Sequence, residues 1–111
     1  MMFTGLMANI SVSDEAGAIE WYSTLFDRGP DTSPMPGLSE WRFAAEFGIQ
    51  VWVDADRAGS STVVLAASDL DSLAERLSAS GIDHDGPQPG GGQRILPVDD
   101  SDGNRIVFSG E

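Results

Sequence analysis

The stretch Ala67-Ser68-Asp69-Leu70-Asp71 marks where an apolar, partly β-branched run from Thr62 to Ala67 gives way to a helix. Ser68-Asp69 supplies an N-cap, Leu70, Leu73 and Leu77 fall on one face, and Gly81 suits a left-handed helix end. The same order of signals occurs half a chain earlier. Leu6, Ala8, Ile10 and Val12 alternate as a strand within Phe3–Val12, Ser13-Asp14 offers a cap, and Ile19, Tyr22 and Phe26 follow at helical spacing with Trp21 and Leu25 widening the stripe. This first helix ends near Asp27-Arg28-Gly29-Pro30, and Pro30, Pro34 and Pro36 make the next segment irregular or an edge strand. Glu40–Phe47 and Ile49–Asp54 read as strands separated by Gly48. In the second half Ile82–Pro87 reads as a short extended piece, Pro89-Gly90-Gly91-Gly92 as a turn, and Arg94–Val98 and Arg105–Ser109 as strands. The expectation is an α+β fold of two β-α-β-β-β modules, spanning about residues 1–57 and 58–111 of a single domain.

Composition narrows the function classes. The chain has 111 residues, enough for one modest core, and its 6 basic against 18 acidic groups give a net charge of −12. Such a field repels phosphate backbones and anionic lipid surfaces, so nucleic acid and membranes are not expected partners, whereas a neutral or cationic ligand meets no such barrier. Without cysteine there are no disulfides, thiolate metal sites or cysteine nucleophiles. No apolar run approaches the roughly 20 residues a membrane helix needs, and no secretory signal pattern is visible, so a soluble, cytoplasmic protein is expected.

Four motifs carry a resemblance to a known family. Ile10-Ser11-Val12-Ser13-Asp14, Ala18-Ile19-Glu20-Trp21-Tyr22-Ser23-Thr24-Leu25-Phe26, Ala67-Ser68-Asp69-Leu70-Asp71 and the closing Asp100-Ser101-Asp102-Gly103-Asn104-Arg105-Ile106-Val107-Phe108 resemble the vicinal oxygen chelate superfamily of glyoxalase, bleomycin-resistance and extradiol dioxygenase proteins. The closing motif is the most specific, being similar to Asp-Pro-Asp-Gly-Asn-x-Ile-Glu-Leu. The resemblance implies curved sheets forming a cup around a ligand, often with dimerisation. Gly103 also has a purely conformational explanation, because a tight turn into the last strand needs a positive φ.

Metal-using members of that family place His or Gln, Glu, His and Glu at four strand positions facing the cup. Carried onto this chain, these positions are Met7, Gln50, Thr62 and Val107. None is a carboxylate or imidazole, so no metal and no other cofactor is expected. The single histidine, His84 in Ile82-Asp83-His84-Asp85-Gly86, reads as a solvated loop residue. No nucleophile elbow surrounds any serine, and Gly90-Gly91-Gly92-Gln93 lacks the Lys-Ser/Thr of a phosphate loop. The pairs Asp54/Asp56 and Asp99/Asp100 fall at turns and read as solubilising loop tips, because carboxylates with raised pKa values need burial that turns seldom provide.

Trp21 belongs to the helix stripe. Strand alternation puts Trp52 on the face of Gln50, and Trp41 with Phe43 on a shared face of another strand, whose direction the sequence leaves open. The expected cup lining is therefore Met7, Gln50, Trp52, Thr62 and Val107, with Trp41 and Phe43 as further candidates. Such a surface suits a flat or hydrophobic organic ligand held by stacking, aromatic or cationic in character, such as an antibiotic. Two alternatives stand beside this binding function: a glyoxalase- or dioxygenase-like enzyme with a relocated metal site and Glu46 or Asp54 as recruited acid, and a structural dimer whose cup is closed by packing. Exposed strand edges point to a homodimer.

Overall fold

Helix formation in the first module depends on burial more than on end chemistry. The computed structural model describes residues 2–111; in it β1 spans Leu6–Val12 and helix α1 spans Glu15–Phe26. Asp14 occupies the N-cap position of α1 but makes no side-chain cap bond, and Ser13 is turned away to bond Asp102 from both its backbone nitrogen (2.9 Å) and its hydroxyl (2.5 Å). The capping expected of Ser13-Asp14 is thus replaced by a tie to the far end of the chain. At its C-terminus α1 has no basic residue of its own; Arg76 reaches in to donate to the carbonyls of Thr24 and Leu25 at 3.0 and 2.7 Å. This satisfies orphan carbonyls and places a cation at the negative end of the helix dipole.

Three strands follow: β2 (Thr32–Met35), β3 (Leu38–Arg42) and β4 (Phe47–Val53). They join β1 in the order β1-β4-β3-β2, with β1 parallel to β4 and the remaining pairs antiparallel. The proline-rich segment is an edge strand, where the missing N–H of Pro34 costs no ladder bond. The strand expected over Glu40–Phe47 ends at Arg42, because the chain turns at 43–46 with the amides of Phe43 and Ala44 both directed to the Phe47 carbonyl. Gly48 lies inside β4 rather than before it; a Cβ there would collide with the Trp41 carbonyl oxygen on the paired strand.

The second module repeats the plan with β5 (Thr62–Ala66), α2 (Leu70–Ala79), β6 (Gln88–Gly90), β7 (Gln93–Asp99) and β8 (Arg105–Gly110), in the order β5-β8-β7-β6. Here the cap is as expected: Asp69 accepts from the Ser72 amide and hydroxyl. Gly81 has a φ of 82° just beyond the helix. The segment 82–87 forms no strand, since His84 pins it to α2, and the short strand comes at Gln88–Gly90 instead.

Each helix packs on its own sheet, and one core runs through both modules, from Ile10, Tyr22 and Trp41 to Leu77, Leu96 and Ile106. The closing motif locks the modules together. Gly103, with a φ of 99°, makes the turn that lets the buried Asn104 donate to the Ser11 carbonyl (2.7 Å) and accept from the amides of Gly59 and Ser61. Asp100 takes the Tyr22 hydroxyl (2.7 Å) and the Asn104 amide. Among the described residues no helix is long and apolar enough to cross a membrane.

Candidate ligand-binding site

Alternation along the strands gives each sheet a helix-facing side and an open side. In the first sheet Ile10, Val12, Ile49, Val51 and Trp41 enter the core, so Asn9, Ser11, Gln50, Trp52, Leu38 and Glu40 emerge on the open face. The register sets Asn9 beside Gln50 and Ser11 beside Trp52 across β1 and β4, then Leu38 beside Trp52 and Glu40 beside Gln50 across β3.

A row of polar groups crosses this face. Asn9 Nδ2 donates to Gln50 Oε1 at 3.3 Å, Gln50 Nε2 donates to Glu40 Oε2 at 2.9 Å, and Arg42 Nε donates to Glu40 Oε1 at 2.8 Å. Glu40 is only 4% exposed, and burial of its carboxylate is tolerated because both oxygens are occupied, one by a guanidinium. A carboxylate only accepts, so it fixes the Gln50 amide with nitrogen toward Glu40 and oxygen toward Asn9. Beside this row lies a shallow hollow of 270 Å³ lined by Asn9, Met35, Leu38, Gln50 and Trp52. It offers an indole and two aliphatic side chains for area burial, and two amides to orient a guest.

The hollow brings Gln50 and Trp52 together as expected, and the other sequence candidates lie elsewhere. Met7 shares the open face but sits one pair along, over Gly48. Thr62 and Val107 emerge on the open face of the second sheet, which is not hydrogen-bonded to the first. The two sheets therefore supply two separate surfaces within one chain. Trp41 and Phe43 are corrected: Trp41 is fully buried, donates from Nε1 to the Arg28 carbonyl at 2.9 Å and stacks on Tyr22 and Phe26, while Phe43 packs edge-on against Phe26. Both face the helix. Asn9, Met35, Leu38 and Glu40 escaped the sequence reading; Asn9 shares the parity of Met7, but strand register is needed to see it beside Gln50.

The second open face is different. It presents Val64, Pro97 and Val107, and an Arg105–Asp99 pair with Nε to Oδ1 at 2.9 Å. This pairing holds the Asp99 carboxyl below its usual range. A polar hollow of 640 Å³ next to it is lined by Asp83, His84, Asp85, Pro97, Asp99 and Arg105 among others.

The donor set does not fit the metal that the resemblance implies. Met7, Gln50, Thr62 and Val107 lie on two faces and bring no carboxylate or imidazole, and among the described residues no group of three His, Asp or Glu side chains could hold an ion. His84 is a structural pin rather than a solvated loop residue. Its Nδ1 accepts from the Gly86 amide at 3.0 Å, which places the proton on Nε2, close to the Ala74 carbonyl and the Ser78 hydroxyl. Glu46 sits exposed in the β3–β4 turn, and Asp54 lies beyond β4 with Arg57 at 3.9 Å; neither lines the hollow. Tyr22 is held well above the ordinary phenol range by burial, then by its hydrogen bond to Asp100 and that carboxylate's charge, so it acts as a neutral donor inside the fold.

No family model matches the chain, and no curated protein matches it. Solved structures do. A glyoxalase/bleomycin resistance protein from Catenulispora acidiphila is 24% identical with a TM-score of 0.88, covering 96% of this chain and 97% of its own. TnmS3, an antibiotic binding protein from a Streptomyces species, is 22% identical with a TM-score of 0.80, covering 96% and 93%. A bleomycin-binding protein complexed with bleomycin is 14% identical with a TM-score of 0.80, covering 96% and 97%. Likeness at this level of identity is likeness of architecture, in agreement with the doubled β-α-β-β-β plan and the closing turn: the chain has the fold of the glyoxalase/bleomycin resistance proteins.

Proposed function

We propose that this protein binds a small organic molecule without a metal, taking a planar aromatic compound, neutral or cationic, against Trp52. One observation carries the reading: the indole of Trp52 and the amides of Gln50 and Asn9 share a hollow whose amide orientation is fixed by the buried Glu40. A preset polar row adjacent to an apolar wall orients a guest at little entropic cost. One structural neighbour is an antibiotic binding protein and another is a bleomycin-binding protein complexed with bleomycin, which supports sequestration as the biological use. The net charge of −12 favours a cation over an anion at long range. A cysteine-free chain accords with a cytoplasmic setting.

The hollow is shallow, and β1 and β5 each have one edge without a strand partner. Leu6 and Val64 on those strands are 75% and 67% exposed. A homodimer in which a second copy covers these strands and deepens the hollow is part of the proposal.

The test is isothermal titration with 9-aminoacridine, together with sedimentation and metal analysis of the purified protein. Saturable one-to-one binding, lost in Trp52→Ala at unchanged melting temperature, is the expected result. Binding that survives Trp52→Ala, or stoichiometric zinc, nickel, manganese or iron, would overturn it.

A further inference from the structure

The aromatic hollow continues into a second one. Asn9 lines both: on its far side lies a space of 460 Å³ bounded by Asn9, Ser11, Asp56, Arg57, Ser60 and Ser61. Ser11 is the cross-strand neighbour of Trp52, so the two spaces are about one strand spacing, roughly 5 Å, apart. The chain between the modules forms the outer wall, and its position is set rather than loose, because the amides of Gly59 and Ser61 are both held by Asn104 Oδ1 at 3.1 and 2.9 Å.

The chemistry of this second space differs from the first. The hydroxyls of Ser11, Ser60 and Ser61, which line this second space, form no hydrogen bond among the described residues and are open to a ligand. Arg57 meets only Asp54, at 3.9 Å, and its side chain is 83% exposed. Three hydroxyls, one amide, one guanidinium and one carboxylate supply donors and acceptors in mixed order, with no aromatic wall. That combination matches a neutral polyhydroxylated group, whose neighbouring hydroxyls each donate and accept. Asp56 and the overall negative charge disfavour a free carboxylate in the same place.

We infer that the protein recognises a two-part ligand, a planar ring on Trp52 joined to a neutral, sugar-like arm seated among Ser11, Ser60 and Arg57. The inference rests on the binding function proposed above and adds a ligand class to it. The probes are 4-methylumbelliferone, its β-glucoside and its β-glucuronide, titrated by calorimetry against wild type, Trp52→Ala and the double variant Arg57→Ala/Ser60→Ala. Two or three added neutral hydrogen bonds correspond to about a tenfold tighter glucoside than aglycone. In the double variant that advantage falls to about onefold while aglycone affinity is unchanged; in Trp52→Ala both weaken together. Equal affinities for glucoside and aglycone in wild type, or a glucuronide that binds tightest, would overturn the polyol arm and leave the aromatic site standing. Failure of all three probes would overturn both.

Discussion

The two modules share strand order, helix placement and pairing sense, and each open face carries an arginine–carboxylate pair, yet only the first adds an indole and a row of amides. The first carries Trp52, Leu38 and a hydrogen-bonded row from Asn9 to Arg42 built round a buried carboxylate. The second carries small aliphatic residues, Pro97 and a solvent-exposed Arg105–Asp99 pair, half-open on each side. Both modules keep the alternation that fills the core, because helix-facing residues are tied to their neighbours by packing. The open face is under no such constraint. The proposed recognition site therefore belongs to one module, and the other serves as its support.

The contrast is sharpest between two tryptophans. Trp41→Ala empties a fully buried site and should cost about 4 kcal/mol, read as a lower midpoint in urea. Trp52→Ala should leave the midpoint within about 0.5 kcal/mol of wild type and act on binding alone. A large stability loss at Trp52 would break the division between core and open face.

Next in size is the lock between the modules. Asn104→Ala abandons the amides of Gly59 and Ser61 and the Ser11 carbonyl, with an expected loss of about 3 kcal/mol in thermal or urea unfolding. Because it also frees the wall of the polar hollow, the variant should bind ligands more weakly even at temperatures where it is folded.

A smaller effect comes from Tyr22, the chain's only tyrosine. Its folded pKa lies above the ordinary 10.0, so its contribution to stability is complete below pH 10 and is lost as pH rises beyond it. Tyr22→Phe should cost about 1 kcal/mol at pH 7, from the lost bond to Asp100, and should flatten the alkaline decline. In the native protein, absorbance at 295 nm should show no phenolate until unfolding.

The smallest expected difference separates the helix starts. Asp69→Ala removes a formed cap, whereas Asp14→Ala removes none, so only the former should lower the melting temperature measurably. Equal shifts would show that the two modules begin their helices alike after all.

Most of this architecture was legible in the chain. Period-two and helical spacings, together with the Asp69 cap and Gly81, located the elements, and the closing motif identified the fold. The errors came where long-range contacts override local preference. Ser13 prefers Asp102 to capping its own helix, and His84 converts an extended segment into a pinned loop. At the site, parity correctly joined Trp52 to Gln50. It could not orient Trp41, because alternation gives two faces without saying which one meets the helix. Asn9 and Glu40 became visible only through register, and the separation of Thr62 and Val107 from Gln50 only through the division into two sheets.

The ties from Ser13 to Asp102, Tyr22 to Asp100 and Ser11 to Asn104 join positions 78 to 93 residues apart. The opening strand and helix, paired with β4 and packed on Trp41, thus gain these further ties only once the last turn has been made. Assembly of this small protein is consequently governed by distant encounters, so its folding should be slow for its size, and loss of the final dozen residues would leave the opening strand and helix without their fastening.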